Sequence, residues 1–246
     1  MEKEAIEQGR RDERPREPDK QPMFNAPLIV IGMALALVGL HGATYLLDDR
    51  QWVQMTFDYA LVPRRFFAEA GSDVAYTGLG GKLLTLVSSG FLHGGWMHVI
   101  VNSGMLLAFG TPVARTLGGD PAGLGKRLLI YFGAVAVGSI VYLALQGADG
   151  GAAVGASGGV SGLMAAAMLI GPDGTVRSPL SRGFITFTAI FAVANVLLAL
   201  AGPWVLGAGV AWEAHAGGYL AGAIIMLLLG PRLPRYGGMD RGFENL

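Results

Sequence analysis

The stretch that decides the fold is Ala214-His215-Ala216-Gly217-Gly218-Tyr219-Leu220-Ala221-Gly222, which opens an apolar run near residues 214–230. Gly218 and Gly222 give this run the small-xxx-small face that lets two membrane helices pack closely. An ionisable residue such as His215 is costly inside a membrane and is a candidate functional group for that reason. The stretch therefore predicts a tightly packed membrane helix with a polar group near its start.

Five more apolar runs lie along the chain, in which 52% of the residues are hydrophobic and 15% are charged. A soluble domain carries about 25% charged residues, and a spanning helix needs about 20 apolar residues. The six runs lie near residues 26–47, 99–113, 128–146, 151–171, 183–201 and 214–230, and residues 96–98 extend the second. The sequence predicts an all-α polytopic membrane protein with a bundle of six transmembrane helices.

The basic residues predict the orientation, because cytoplasmic loops carry the excess of Lys and Arg. With a cytoplasmic N-terminus, the outer side receives four of the 18 basic residues, namely Arg50, Arg64, Arg65 and Lys82. Both termini should therefore be cytoplasmic. Residues 1–24 are expected to form a disordered tail, residues 25–230 the membrane domain, and residues 231–246 a second cytoplasmic tail.

The first outer loop, residues 48–95, is rich in aromatic side chains, which collect at membrane interfaces. We expect it to lie partly in the outer leaflet and to be broken into pieces at Pro63 and residues 78–81.

The chain has no cysteine, which excludes disulfides and cysteine-ligated metals, and its net charge of +0 argues against a nucleic-acid partner. The lack of cysteine and the six-span plan favour a prokaryotic plasma membrane.

Four polar residues fall at one expected depth in the membrane. His98 and Asn102 lie in the second run, Ser157 lies in the fourth, and His215 starts the sixth. These three spans all run from outside to inside, so the four residues lie within about two turns of the outer end. The orientation was derived from Lys and Arg alone, and the shared depth therefore supports a functional site independently.

Ser157 and His215 have the chemistry of a nucleophile and its base. Ser157 stands in Gly155-Ala156-Ser157-Gly158-Gly159, where glycines allow another backbone to approach and a helix N-terminus offers N–H groups to an oxyanion. His215 is the natural acceptor of the serine proton. Asp149 lies in a loop and Glu213 faces another side of its helix, so we predict a dyad without a carboxylate.

Each of these residues also has a purely structural interpretation. Ser157 and His215 could serve packing alone, and His98 and Asn102, which share a helix face, could form interhelical hydrogen bonds. Six further polar residues are interpreted as structural: His41, His93, Ser103, Ser139, Ser161 and Asn195. The functional prediction rests on the conjunction of a nucleophile, a base and oxyanion donors on three helices at one depth.

These motifs resemble those of the rhomboid intramembrane serine proteases. Residues 91–102, Phe-Leu-His-Gly-Gly-Trp-Met-His-Val-Ile-Val-Asn, resemble the family's His-x-x-x-Asn segment on its second helix. Gly155-Ala156-Ser157-Gly158 matches the Gly-x-Ser-Gly nucleophile motif, and residues 214–222 resemble the family's histidine helix. The motifs follow in the family's order, and the resemblance covers about residues 25–230.

The resemblance implies a role for each residue. Ser157 would attack the scissile carbonyl, and His215 would act as general base and then as general acid. The backbone N–H of Ser157 and the side chains of His98 and Asn102 would stabilise the oxyanion, on a backbone shaped by Gly155 and Gly158. Substrates would be single-span membrane proteins cut near the outer face, with access gated by the fifth span and its loop. No metal or cofactor is implied.

One departure from the family pattern concerns the residue four positions after the nucleophile. Many members have an aromatic side chain there that packs on the catalytic histidine, whereas this chain has Ser161. We expect Tyr219, one turn along the same helix, or a shifted neighbour to hold His215 instead.

Two other classes of function are considered besides the protease. A catalytically silent relative would bind membrane clients, but such relatives normally lack the serine or the histidine that this chain keeps. A small-solute transporter could use the same polar cluster, but inverted repeats, which would favour that class, are not found in the sequence. The three interpretations differ in whether Ser157 must be chemically reactive.

Overall fold

Helices are the main secondary structure in the computed structural model, which describes residues 26–205 and 209–231. Within these residues the helices are α1 Leu28–Thr44, α2 Asp49–Tyr59, α3 Pro63–Phe66, α4 Gly78–Ser88, α5 Trp96–Leu117, α6 Pro121–Gln146, α7 Ser157–Met168, α8 Arg182–Val205 and α9 Trp212–Leu229. The predicted cytoplasmic tails, 1–24 and 231–246, lie outside the described residues except for Pro231.

Six of these helices correspond to the six apolar runs. Four of them, α5, α6, α8 and α9, are long and apolar enough to cross a membrane, and α1 and α7 are shorter apolar helices. The described residues contain no β-strand, only isolated bridges between Leu61 and Ala153 and between Ile170 and Val176. The prediction of an all-α polytopic membrane bundle is confirmed.

The fourth run differs from its prediction in length. An apolar run over residues 151–171 predicts a spanning helix, but α7 has only 12 residues and covers about 18 Å. A hydrocarbon core is about 30 Å thick, so α7 alone is too short to cross it. Before α7 the chain is non-helical over residues 150–156, and these residues pass from exposed at Gly151 to buried at Ala156. Irregular backbone within a membrane is tolerated only where protein or a water-lined cavity surrounds it. The chain therefore enters the bundle before α7 begins at Ser157.

The predicted outer loop contains three helices of its own. A capping box starts α2, in which Asp48 Oδ1 accepts from the Gln51 backbone N–H at 2.8 Å and Gln51 Oε1 accepts from the Asp48 N–H at 3.1 Å. Helix α3 begins at Pro63 and α4 begins at Gly78, as the expected breaks require. The buried Arg65 ties these pieces together, because its guanidinium donates to the carbonyl oxygens of Phe57, Val74 and Ala75.

Glycines bring α7 and α9 into backbone contact. A Cβ on Gly218 would overlap the backbone of Gly158, and a Cβ on Gly222 would overlap the backbone of Gly162. Helix α6 approaches the start of α9 as closely, since a Cβ on Gly138 would lie 2.5 Å from the Ala214 carbonyl oxygen. The close packing predicted from the small-xxx-small face of Gly218 and Gly222 is confirmed, and we call this contact the α7–α9 seam.

Helix α8 is attached to the bundle along one narrow stripe. Only 11% of an 18-residue apolar stretch of α8 is buried inside the protein, compared with 44% of the corresponding stretch of α9. Phe191 stacks on Tyr219 of α9 with ring centroids 4.3 Å apart, and Phe184 stacks on the same ring at 6.0 Å. The Thr188 and Tyr219 hydroxyls are hydrogen-bonded at 2.8 Å. This contact, the α8–α9 seam, is made by side chains alone.

Candidate active site

The segment in front of Ser157 is held by backbone hydrogen bonds to two other parts of the chain. Leu61 and Ala153 exchange two backbone hydrogen bonds, of 3.1 and 2.8 Å. The Gly155 N–H donates to the Ser89 carbonyl oxygen at 2.9 Å. These contacts fix the point at which α7 begins and hold the half-buried Ser157 at its N-terminus, an end that no side chain among the described residues caps.

His215 lies opposite this serine, in the first turn of α9. Its Nε2 atom is 2.8 Å from Ser157 Oγ, which is hydrogen-bonding distance. The two residues come from helices that meet across the α7–α9 seam, where Gly158 and Gly218 let the backbones touch. The structure therefore brings together the two residues that the sequence analysis paired as nucleophile and base.

The other ring nitrogen of His215 has a partner that the sequence analysis missed. His215 Nδ1 is 2.8 Å from Asn195 Oδ1, and the Asn195 amide N–H donates to the Phe191 carbonyl oxygen at 2.9 Å. Asn195 was interpreted as a packing or interhelical hydrogen-bonding residue, and its bond to His215 agrees with that interpretation, although the partner was not predicted. A sequence signal did exist, because Asn195 continues the spacing of Phe184, Thr188 and Phe191, which form one face of a helix.

Tyr219 does not fill the place that the sequence analysis gave it. It was expected to hold His215, but its hydroxyl is bonded to Thr188 and its ring is stacked between Phe184 and Phe191 of α8. Tyr219 lies four residues after His215, and its side chain forms part of the α8–α9 seam. The alternative expectation, a shifted neighbour, is met by Asn195.

Gly155 lies between Ser157 and His98 and packs closely against the His98 ring. A Cβ at this position would lie 2.7 Å from both Cε1 and Nε2 of His98 and 3.7 Å from Ser157 Oγ, so it would overlap the ring. Gly155 also has a φ of 128°, a conformation that residues with a side chain rarely adopt. A glycine is therefore needed here both for the backbone shape and for the close approach of the His98 ring.

Asn102 lies on α5 one turn below His98 and is buried, with 5% of its surface exposed. Its side-chain amide donates to the His98 carbonyl oxygen at 3.0 Å. An amide nitrogen carries two hydrogens, so this bond leaves one N–H for another acceptor. The pair thus presents an imidazole and an amide N–H from one face of α5.

His93, in the loop before α5, contacts the backbone next to Ser157. Its Nε2 accepts a hydrogen bond from the Ala156 N–H at 3.3 Å. Burial, followed by the neighbouring His98, lowers the pKa of His93 to about 4. A neutral imidazole can accept this bond, whereas a protonated one cannot, so His93 supports the start of α7 at neutral pH.

The carboxylates near the site do not contact His215. Glu213 is buried, with 3% of its surface exposed, and its Oε1 accepts from the Gln146 side chain at 2.5 Å. Asp149 lies in a 3-10 turn after α6. Both placements agree with the sequence analysis. Within residues 26–205 and 209–231, no group of three His, Asp or Glu side chains is arranged to hold a metal ion.

Comparison with known proteins supports what the motifs suggest. The family model described as Rhomboid domain matches residues 80–232, which is more than half of the 246 residues and includes His98, Asn102, Ser157, Asn195 and His215. The chain matches none of the curated proteins with which it was compared. The bundle of apolar helices described above agrees with the family match, and it makes the chain an integral membrane protein. This chain belongs to the rhomboid family.

Proposed function

We propose that this protein is an intramembrane serine endopeptidase that cuts transmembrane segments of other membrane proteins through an acyl-enzyme. The observation that carries the proposal is the 2.8 Å contact between Ser157 Oγ and His215 Nε2, made between residues 58 positions apart. A serine hydroxyl is a weak nucleophile until a base takes its proton. An imidazole nitrogen at hydrogen-bonding distance is such a base.

In the first half of the reaction, Ser157 Oγ attacks the scissile carbonyl carbon while its proton passes to His215 Nε2. The carbonyl oxygen becomes an oxyanion, which accepts hydrogen bonds from the Ser157 backbone N–H, His98 and the free amide N–H of Asn102. Donors fixed before the reaction stabilise this charge without reorganising, and one such donor contributes about 10²–10³ in rate.

The second half regenerates the enzyme. The tetrahedral intermediate collapses when the C–N bond breaks and His215 gives its proton to the leaving amine, leaving an ester on Ser157. A water molecule then loses a proton to His215 and attacks the ester carbonyl. Collapse of the second intermediate breaks the C–O bond and returns the proton to Ser157 Oγ, so no cofactor takes part.

The proposed substrates are single-span membrane proteins, and the proposed orientation has both termini in the cytoplasm. In that orientation the starts of α5, α7 and α9 face the outside, and cleavage occurs near the outer face. The lipid bilayer then delivers the substrate laterally, past the sparsely attached α8. A prokaryotic plasma membrane is the proposed location. Part of the loop between α8 and α9, residues 206–208, lies outside the described residues.

A fluorophosphonate probe tests the proposal directly, because it reacts with activated serines. We expect the detergent-solubilised protein to be labelled and the Ser157→Ala and His215→Ala variants to be unlabelled, with rates at least ~10²-fold lower. Ser161→Ala is the matched control. This serine lies one turn further along the same helix, and its variant should label like the wild type.

A wild type that is folded, as judged by its thermal transition, but is not labelled would contradict the protease. The client-binding relative would then be the better interpretation of this fold. Labelling that survives in Ser157→Ala would place the reactive serine elsewhere in the chain. Cleavage of a single-span substrate in liposomes, lost in the same two variants, completes the test.

A further inference from the structure

We propose that Asn195 is the positioning residue for His215, holding its imidazole in the tautomer in which Nδ1 carries the hydrogen and Nε2 faces Ser157 as an acceptor. This inference rests on the proposed function for its catalytic meaning. Its structural content, the tautomer of one histidine, can be tested whether or not the protein is a protease.

The hydrogen-bond pattern around Asn195 fixes which of its atoms meets the histidine. A backbone carbonyl can only accept, so the Asn195 atom 2.9 Å from the Phe191 oxygen must be the amide nitrogen. The atom 2.8 Å from His215 Nδ1 is therefore the amide oxygen, which can only accept. It follows that Nδ1 is the donor and carries the hydrogen.

The tautomer decides whether His215 can act as a base. A neutral imidazole carries one hydrogen, and the partner of one ring nitrogen determines the state of the other. With the hydrogen on Nδ1, the lone pair of Nε2 points at Ser157 Oγ, 2.8 Å away, and can take its proton. The opposite tautomer would put a hydrogen between Nε2 and Oγ and block that transfer.

The surroundings of His215 make this contact necessary. The residue one turn after the nucleophile is the small Ser161, so no aromatic ring is available from that position. The Tyr219 ring stacks on Phe191, and its hydroxyl is hydrogen-bonded to the Thr188 hydroxyl. The Glu213 carboxylate is bonded to Gln146. Asn195, buried with 7% of its surface exposed, is the polar group at hydrogen-bonding distance from Nδ1.

The chain offers a matched control for a purely structural role of Asn195. Thr188 lies on the same face of α8 and forms the other polar link to α9, through the Tyr219 hydroxyl at 2.8 Å. Removing either link weakens the α8–α9 seam by one hydrogen bond, but only Asn195 contacts His215. Asn195→Leu, which keeps the side-chain shape without an acceptor, is therefore compared with Thr188→Val.

The first measurement is the ¹⁵N NMR spectrum of the imidazoles in the detergent-solubilised full chain, which has only four histidines. The His215→Ala spectrum assigns the His215 signals. We expect the Nδ1–H tautomer for His215 in the wild type and in Thr188→Val, and a mixture of tautomers in Asn195→Leu. The Nε2–H tautomer in the wild type would overturn the proposal, and this result does not depend on the folding of either α8 variant.

The second measurement is the rate of fluorophosphonate labelling and of substrate cleavage. Asn195→Leu should lower kcat by about 10²-fold with little change in KM, because the base and not the substrate is affected. Asn195→Asp keeps an acceptor oxygen at the same place and should recover most of the rate. Thr188→Val should keep the wild-type rate.

Equal losses of rate in Asn195→Leu and Thr188→Val, in step with their thermal stabilities, would show that Asn195 only holds helices together. Failure of rescue by Asn195→Asp in a folded variant would also count against positioning. The wild type could also remain unlabelled while its His215 tautomer depends on Asn195. In that case the proposed function fails, but the proposal that Asn195 sets the tautomer of His215 stands.

Discussion

Helix α9 is held in two contrasting ways on its two sides. Along the α7–α9 seam, Gly158 and Gly162 lie against Gly218 and Gly222 with no room for a methyl group between the backbones. Along the α8–α9 seam, the contact among the described residues consists of stacked rings and two hydrogen bonds, and 11% of an 18-residue apolar stretch of α8 is buried. Ser157 comes from the first seam and the partner of His215 Nδ1 from the second.

The two seams determine two different properties of the site, namely the distance between Ser157 and His215 and the orientation of the His215 ring. The Ser157–His215 distance depends on the backbones of α7 and α9, which cannot shift without breaking the glycine contacts, because packed interiors are not continuously deformable. The orientation of the His215 ring depends on a side chain of α8, and segments with few buried contacts open at low free energy. Distance is thus fixed rigidly, and orientation depends on whether α8 is in place.

The largest effect is expected from Gly222→Ala in the α7–α9 seam. Its Cβ would overlap the Gly162 backbone, so the helices must separate, at a cost of about 1–3 kcal/mol or more. The thermal transition should fall and labelling of Ser157 should be lost. Gly104→Ala is the control, because a Cβ there meets nothing within 4 Å. Equal stability of the two variants would show that the seam is not rigid.

A smaller loss of stability but a full loss of activity is expected from Gly155→Ala. The φ of 128° is strained for alanine, which costs about 1–3 kcal/mol, and the methyl would lie 2.7 Å from His98 Nε2. Thermal scans and probe labelling measure the two effects separately. Gly94→Ala, at an open position, should retain both properties. Full labelling of folded Gly155→Ala would show that the reaction does not depend on the present position of the His98 ring.

Phe191→Ala weakens the α8–α9 seam without touching the dyad. Loss of its stacking on Tyr219, at 4.3 Å, should lower the free energy of unfolding by only about 1 kcal/mol. Hydrogen exchange of the α8 amides should rise while that of α9 stays the same. Ile190→Ala is the control, because this neighbouring side chain of α8 is 60% exposed and its loss should leave exchange unchanged. A rise in exchange shared by α8 and α9 would mean that the two helices move as one unit.

The smallest effect is expected from Thr188→Val. Hydrogen bonds between membrane helices average about 0.6 kcal/mol, so the thermal transition should hardly move. The change removes the 2.8 Å bond to Tyr219 and leaves His215 with its partner. A destabilisation as large as that of Gly222→Ala would show that the two seams are held equally firmly.

Much of the site could be predicted from the sequence because its signals are local. Ser157 and His215 stand in glycine-rich apolar segments, and the spacing of Gly218 and Gly222 indicated the packing that brings them together. The break points at Pro63 and Gly78 follow from the same kind of local rule. His98 and Asn102 were found because polar groups inside apolar runs are rare.

By itself, the sequence determined the number and order of the apolar helices and the pairing of Ser157 with His215, since apolar periodicity and glycine spacing act along a single helix. Only the tertiary structure decided that α7 starts late, after residues 150–156 have entered the bundle. It also decided that Asn195, and not Tyr219, contacts His215. The spacing of Asn195 marks one face of α8 along the sequence, but which residue of α9 meets that face depends on the rotation and depth of the two helices. The packing of side chains distant in sequence sets both the start of α7 and this contact.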